Sequence, residues 1–539
     1  MAWTALSADA IFSLENDSDW TALNSDAVFS LENDSDWTAL NSDAVFRVIP
    51  YSTPNPDYDL TAFVTSIEFS YGMNNPFLDF APPARAYVSL SNYNGDFNPD
   101  NASATFYDRL RRGQIVRIYI NYNGQEKLLF SGKIVNRDYG VEDFLTLTIE
   151  DQMLRLLNTN ITPPLLPNAR IDEAIKSVFT KKAALWPYDF RYFTIGTSKL
   201  GFTYDVVPTD QNNVLLGDGE LGKLGYLANL ELDKAKTTLT YAGDVTLTET
   251  SAQTYLRELM PAEGGGRFFW DAPYECFRFQ NRWTDSVNLN MVAELDGSEI
   301  ESALFSMDDD LINDVTINYR PRSVSNSVTV LYEAPNTTTL KTSETLDLTV
   351  TFKDPANPGS TCGGLDTVCI LGTDLIINTQ QDGTGTNVTQ QQLITVEFNA
   401  TSATFNITNT TSGELYITKL QVRGKPISLL NVETVEYTDL ESIRDYDIYP
   451  ADFSLSAVDN KDLAQTIGRI LVRTRKVPKR RFRRVTFVAN MNPKLMGYAK
   501  DLSIGDGINL QYDSHNMDYV IVGFEHSISP GGSNAHRVN

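Results

Sequence analysis

Residues 115–135 read IVRIYINYNGQEKLLFSGKIV, and their pattern decides the fold class. Val116, Ile118, Ile120 and Tyr122 recur at every second position with Arg117 and Asn121 pointing the other way, the spacing of a strand with one buried and one wet face. Asn123-Gly124 then supplies a two-residue hairpin turn, and Lys127 to Val135 returns as the second strand. Working outward, Phe63, Thr65, Ile67 and Phe69 alternate in the same way, and Ala86 to Leu90 and Phe144 to Glu150 add further strands. Asn94-Gly95-Asp96, Arg112-Gly113 and Tyr139-Gly140 punctuate them as turns. So many short twisted strands over 58–158 predict a closed or nearly closed β-barrel, which removes exposed edges.

Helical spacing is rare. Ile171, Ile175, Val178 and Phe179 share one stripe; Ser251 to Met260 has a serine N-cap and Tyr255, Leu256 and Leu259 on one face; Asp459 to Arg473 carries Leu463, Ile467, Ile470 and Leu471. Pro187 to Tyr241 shows no dependable pattern. Over 335–425 Thr, Asn, Gln and Gly rise, and Leu346–Phe352, Ile394–Phe398, Thr404–Ile407 and Leu415–Val422 alternate as half-buried antiparallel strands, which predicts an inserted β-sandwich with Asp382 to Asn387 as a loop.

The N-terminus is built differently. Ser13 to Phe29 reads SLENDSDWTALNSDAVF, and Ser30 to Phe46 repeats the same letters. Identity of the two copies marks a recent duplication rather than an old repeat fold, whose units would have drifted apart. Residues 1–46 hold nine acidic side chains and no basic one. They read as an acidic arm with short β segments at Ala27-Val28-Phe29 and Ala44-Val45-Phe46, either adding strands to a neighbour or hanging loose. The opening residues lack the basic and apolar regions of a secretory signal, and no apolar run is long enough to span a bilayer.

The 539 residues suffice for about three to five packed units. Lys plus Arg is 44 against 69 Asp plus Glu, a net charge of −25, which argues against sequence-independent attraction to nucleic acid or an anionic membrane as the main activity. Three Cys and three His leave little for metal or thiol chemistry. Cys362 and Cys369 flank GGLDTV, close enough in sequence for a small disulfide or for two reduced thiols.

Three runs together resemble the minor tail proteins of long-tailed bacteriophages. They are Ala86-Tyr-Val-Ser-Leu-Ser-Asn-Tyr-Asn-Gly-Asp-Phe-Asn-Pro99, with its N-x-x-G-x-F-x-P turn; Phe106 to Ile118, ending in L-x-x-G-x-x-V-R-I; and Leu129-Phe-Ser-Gly-Lys-Ile134. Four more stretches follow in the order of that family: Glu263-Gly-Gly-Gly-Arg-Phe-Phe269 with Phe277-Arg-Phe279 and Arg282, Leu311-Ile-Asn-Asp-Val-Thr-Ile317, Ile417 to Pro426, and Leu502-Ser-Ile-Gly-Asp506 with Tyr519 to His526. The similarity spans 60–530, and the joint order carries it more than any single motif. It implies the baseplate or tail-tip hub of a virion assembled in the host cytoplasm. Such a hub is a homotrimer with two tube-like β-barrels per chain, so that three chains present a pseudo-six-fold ring to the tail tube. The implied partners are the chain itself, the tail tube or distal-tail ring, the C-terminus of the tape-measure protein, tail fibre proteins and transient genome DNA. No cofactor, metal or small-molecule substrate is implied.

The expected fold is therefore mainly β with a few helices and several domains: an acidic arm at 1–57, a first barrel at 58–158, a mixed α+β region at 159–310, and a second barrel at 311–539 that hosts the sandwich at 335–425. The second barrel is expected from Asp314 to Leu331 and from Arg484 onward. One basic segment opposes the acidic trend: Arg473, Arg475, Lys476, Lys479, Arg480, Arg481, Arg483 and Arg484, broken by Pro478. It reads either as a loop that grips genome DNA or as cations that favour a helix C-terminus and pair with acidic surface on the same or the next subunit.

No catalytic signature is present. His515, His526 and His536 lack metal-ligand spacing, and Asp308-Asp309-Asp310 reads as an exposed acidic turn. The rival reading is a carbohydrate-binding adhesin acting through the sandwich.

Overall fold

A computed structural model describes residues 39–41, 44–51, 60–73, 80–104, 106, 110–123, 125–140, 144–181, 230–243, 250–281, 291–306, 311–478, 481–513, 515–529 and 535–539. The fold is mainly β, in several sheets, with a few short helices. Among the described residues no helix is long and apolar enough to cross a membrane.

The central feature is an eleven-stranded sheet in which every neighbouring pair runs antiparallel. Its order is Ala39–Asn41, Ala44–Tyr51, Ile115–Tyr122, Gln125–Tyr139, Phe144–Glu150, Arg85–Ser91, Val64–Gly72, Gly523–Ser529, Ala535–Val538, Arg481–Val488 and Ile300–Ser306. The hairpin over 115–139 forms as its alternation dictates: Val116, Ile118 and Ile120 are buried, and Asn123 takes φ 53° in the turn. Ala44–Tyr51, placed by sequence in the arm, is a full strand on Ile115–Tyr122, while Ala27-Val28-Phe29 lies outside the described residues.

The expected closed barrels differ from this arrangement, because none of the hydrogen-bonded sheets closes on itself among the described residues. Val64–Gly72, which would have to complete the first ring, pairs instead with Gly523–Ser529, so two β units share one open sheet. The second unit is completed by a smaller sheet of Met291–Asp296, Gly507–Tyr512 and His515–Val520. Phe482 of the large sheet meets Tyr519 of the small one edge to face at 5.3 Å, and a cleft of about 480 Å³ lies between the two layers.

The second unit thus begins with Met291–Asp296 and Ile300–Ser306, not with Asp314. Asp314–Tyr319 lies in a separate three-stranded sheet between Glu433–Thr438 and Pro450–Leu455, covered by the helix Lys461–Arg475. The alternation of Asp314–Tyr319 is that of any half-buried strand, so it declares a strand without declaring its partners.

The α+β region packs Ala252–Glu263 against the helices Met153–Asn158 and Ile171–Lys181 and against Lys461–Arg475. Ser251 caps it as read from the sequence, accepting from Thr254 N at 3.1 Å. Lys461–Arg475 is capped by Asn460, whose Oδ1 accepts from Leu463 N at 2.8 Å. Asn460→Ala is expected to cost about 1 kcal/mol in a denaturant titration, the usual worth of such a cap. Pro493–Asp501 escaped the reading by hydrophobic stripe, although Asn492 as cap and Pro493 in the first turn announce it. The stretch 187–241 lies mostly outside the described residues; within it Leu230–Leu232 and Thr238–Ala242 are short strands.

Residues 322–429 carry a core of their own, around Leu331, Phe352, Phe405, Ile407 and Val422, distinct from the large core of the rest. A six-stranded sheet centred on Leu415–Leu429 faces a three-stranded sheet of Thr345–Thr351, Ser402–Thr408 and Leu393–Phe398. Leu346, Leu348 and Val350 pair with Ile407, Phe405 and Ala403 on the inner face.

Candidate functional site

Residues that stood out in the sequence fall into two groups, those that join the units and those that carry charge or nucleophilic atoms. The first group comes largely from the motifs. In the 92–99 turn, Asn92 Oδ1 accepts from Phe97 N at 2.9 Å, Gly95 takes φ 72°, and Phe97 is buried against Phe63 and Phe106. Gly132 leaves room for the strand beside it: a Cβ there would sit 2.5 Å from the Glu150 carbonyl oxygen.

In Glu263-Gly-Gly-Gly-Arg, Gly264 ends the helix in the left-handed region, and the fully buried Glu263 carboxylate accepts from Lys236 N and Thr237 N at 2.9 and 3.0 Å. Its acid is a strap for a distant loop, since two backbone donors satisfy it where water cannot. Asn313 of the next motif is also fully buried. Its Nδ2 donates to Ser442 Oγ and the Asp447 carbonyl, and its Oδ1 accepts from Tyr449 N at 2.8 Å, tying the helix Leu440–Tyr446 and the chain after it to Asp314–Tyr319. Gly505, at φ 94° in the 502–506 turn, donates its N–H to the Ile521 carbonyl at 2.8 Å.

Two joints were not signalled by any motif role. Arg117, on the outward face of Ile115–Tyr122, donates twice to Glu275, from Nε and from one terminal nitrogen, both at 3.0 Å, with the side chains only 13 % and 7 % exposed. Glu275 lies in a turn at φ 47°, and burial holds its carboxyl above the ordinary range despite Arg117 and a hydrogen bond with Ser131. The second joint is Gly72 opposite Gly523 at the end of the ladder between the two units. Alternation marks Arg117 as outward in sequence, but nothing local names Glu275, 158 residues away, as its partner.

Of the basic segment, the structure disperses rather than gathers the side chains. Arg475 is buried, and Lys476 Nζ donates to Asp439 Oδ2 at 2.9 Å; the Ser442 N–H first and Lys476 second hold that carboxyl below its ordinary value. Arg484 donates to Glu525 across neighbouring strands. Arg473 and Arg483 are exposed at their surfaces, whereas Lys479, Arg480 and the Arg481 side chain lie outside the described residues. Ser306 stands opposite Arg481 at the end of one ladder. The conformation of Asp308-Asp309-Asp310 itself lies outside the described residues.

The remaining reactive side chains are inward or self-satisfied. Cys362 and Cys369 are both free thiols, and burial pushes them up to about 12 and about 11, so neither is a thiolate at neutral pH. His526 and His536 are buried against each other, and the His515 side chain lies outside the described residues. Among the described residues no three His, Cys, Asp or Glu side chains gather as a metal site. On the outer face of the sandwich, Thr345 pairs with Thr408 at 3.0 Å, Thr349 with Thr404 at 3.2 Å, and Asn406 donates to Asp347. In the 382–387 loop Asp382 accepts from Thr384, and Asn378 donates to the Gly383 and Gly385 carbonyls. These groups satisfy one another, as cross-strand pairs and turns do on a solvated β surface.

No protein-family model matches the chain. No curated protein matches it either. Among solved structures it is similar to the tail protein from Neisseria meningitidis MC58, at 12 % identity and a TM-score of 0.45, over 92 % of this chain and 94 % of that one. It is also similar to the prophage MuSo2 43 kDa tail protein from Shewanella oneidensis, at 9 % identity and a TM-score of 0.44, over 92 % and 96 %. A third is the prophage tail protein gp18 from Listeria monocytogenes EGD-e, at 10 % identity and a TM-score of 0.34, over 92 % and 93 %. Likeness at this level transfers no residue role and no activity.

Proposed function

We propose that the chain is a structural protein of a bacteriophage tail tip: a trimeric hub that joins a six-fold tail tube to a threefold tip and lines or closes the channel through which DNA leaves. The observation that carries this reading is the joining of two β units of one polypeptide, edge to edge, through Val64–Gly72 and Gly523–Ser529. Three copies of such a pair offer six similar units around one axis, which converts threefold to six-fold symmetry within a single gene product. The order of the tail-protein motifs along 60–530 supports it as well, since so many of their residues serve as caps, straps and close approaches between sheets.

In this reading a net charge of −25 suits a conduit, because like charge discourages static contact with passing phosphates. The basic segment then serves contacts within the chain and with the next subunit, in line with Lys476 on Asp439 and Arg484 on Glu525. The partners are the tail tube or distal-tail ring, the tape-measure C-terminus and tail fibre proteins. The adhesin reading has less to rest on, because the sandwich's outer hydroxyls and amides are engaged with each other. Electron microscopy of assembled particles is expected to place three copies around the tail axis, each contributing two units to one ring. A chain that stays monomeric and never enters a particle, or a ring of six copies, overturns the proposal.

A further inference from the structure

We propose that the His526–His536 pair makes the junction between the two β units acid-labile, so that protonation parts Val64–Gly72 from Gly523–Ser529 while neutral pH keeps them joined. His526 stands opposite Phe69 in that ladder, and the two rings stack with centroids 4.5 Å apart. His536 lies on the next strand, Ala535–Val538, with its Nε2 3.0 Å from Nδ1 of His526. Both side chains are buried, 1 % and 3 % exposed, so the pair fills the inner face of the seam.

An uncharged pair is well matched to this site, because one ring nitrogen donates and the other accepts. Protonating both rings sets two donors against each other and puts two cations where Phe69 and Phe524 are the neighbours. The stacked Phe69 face offsets part of the first charge, as a cation over a ring does, but not the second.

The charged residues of the surrounding strands point elsewhere. Glu525 pairs with Arg484, and Arg537 pairs with Glu301, both on the outer face; Glu68 is exposed. On the inner face the titratable neighbour is Tyr71, 6.5 Å from His526 ring to ring, whose phenol burial holds protonated. Asn490 Oδ1 accepts from the His536 backbone N–H at 3.2 Å and carries no charge. Across the same junction Lys127 meets Asp501 at 3.4 Å on the surface.

Burial drives His526 well below its ordinary value, with His536 beside it as the lesser cause, and burial alone lowers His536 to about 3. The sign follows directly. With folded values below the unfolded one of about 6.5, the opened state binds more protons, so stability is intact above about pH 6.5 and falls as the pH drops below it. Each ring favours opening about tenfold per pH unit, and both together about a hundredfold.

Amide hydrogen exchange on the full chain between pH 7 and pH 4, corrected for the intrinsic exchange rate, tests this. Protection of the amides in Val64–Gly72 and Gly523–Ser529 is expected to fall by up to about a hundredfold per pH unit. Protection in Ser402–Thr408, whose unit contains no histidine, should not follow that slope. His526→Phe with His536→Leu flattens the profile at the junction, His536→Gln leaves about a tenfold slope, and Asp501→Asn leaves the wild-type slope in place. A junction that tracks the sandwich in the wild type, or a double variant with the wild-type slope, overturns the proposal. So does a variant that weakens the junction equally at every pH, which marks a packing role alone. If the double variant does not fold, the wild-type comparison and His536→Gln decide.

Discussion

Replacing Arg117 by leucine is expected to destabilise the body of the molecule by about 3–5 kcal/mol, the cost of leaving one member of a buried ion pair without the other. The guanidinium is planar and meets Glu275 with two parallel bonds at 3.0 Å, in a site from which water is largely excluded. Without it Glu275 keeps its hydrogen bond with Ser131 but loses the cation that offsets its burial, so its carboxyl rises further. The deficit is therefore smallest in acid, where Glu275 takes up a proton, and grows as the pH rises through the raised folded value. The double variant Arg117→Leu, Glu275→Leu recovers most of the loss, because apolar replacements of a buried pair remove the desolvation cost with the bond.

Two separate cores make a single unfolding transition unsuitable as the readout. Calorimetry is expected to show the transition of the body lowered by Arg117→Leu and that of 322–429 unmoved. A single variant no less stable than the wild type, or one whose deficit shrinks with rising pH, contradicts the assignment of this pair as a joint.

Gly72→Val is the second large effect, expected at about 2–6 kcal/mol from two sources of about 1–3 kcal/mol each. The backbone there sits at φ 134°, which a β-branched residue resists. A Cβ would also fall 2.2 Å from the Gly523 Cα and 2.6 Å from the Val522 carbonyl oxygen, and both obstacles are backbone. The ladder must open at that end, with loss of the bond from Met73 N to the Val522 carbonyl at 2.9 Å. Gly95→Ala is the control: its φ of 72° is likewise positive, but no atom lies within 4 Å of the added Cβ, so the cost stays near about 1 kcal/mol. Hydrogen exchange at Met73 and along Gly523–Ser529 separates the two. Equal protection in both variants would show that the approach of the units does not depend on these glycines.

Legibility varied with the range over which each feature is decided. The 115–135 hairpin was readable because its alternation and its turn lie within one short window, and Val116, Ile118, Ile120 and Tyr122, which the alternation names, are all buried. The serine cap at Ser251 and the stripe of Lys461–Arg475 were readable for the same reason. Asn492-Pro493 carried a helix start that stripe counting passed over. Glu263 and Asn313 could be seen as members of motifs, yet their work as straps could not, since Lys236, Ser442 and Tyr449 become their neighbours only in the folded chain. The basic segment looked like one patch in sequence. Helix and strand geometry sends its members in different directions, to Asp439, to Glu525 and into the interior at Arg475.

By itself, then, the sequence determined a mainly β chain, the faces its strands bury, an acidic repeated start and the composition that sets 335–425 apart. Tertiary structure alone decided which edges meet: Val64–Gly72, paired on one side with Arg85–Ser91, turns its other edge to Gly523–Ser529 rather than closing its own unit, and Met291–Ser306 rather than Asp314–Tyr319 enters the second unit. Periodicity fixes which side of a strand is wet, and it acts over a few residues. Edge choice compares the packing of whole faces brought together across more than four hundred residues of intervening chain, so it is settled by the complementarity of surfaces that do not exist until the units have folded.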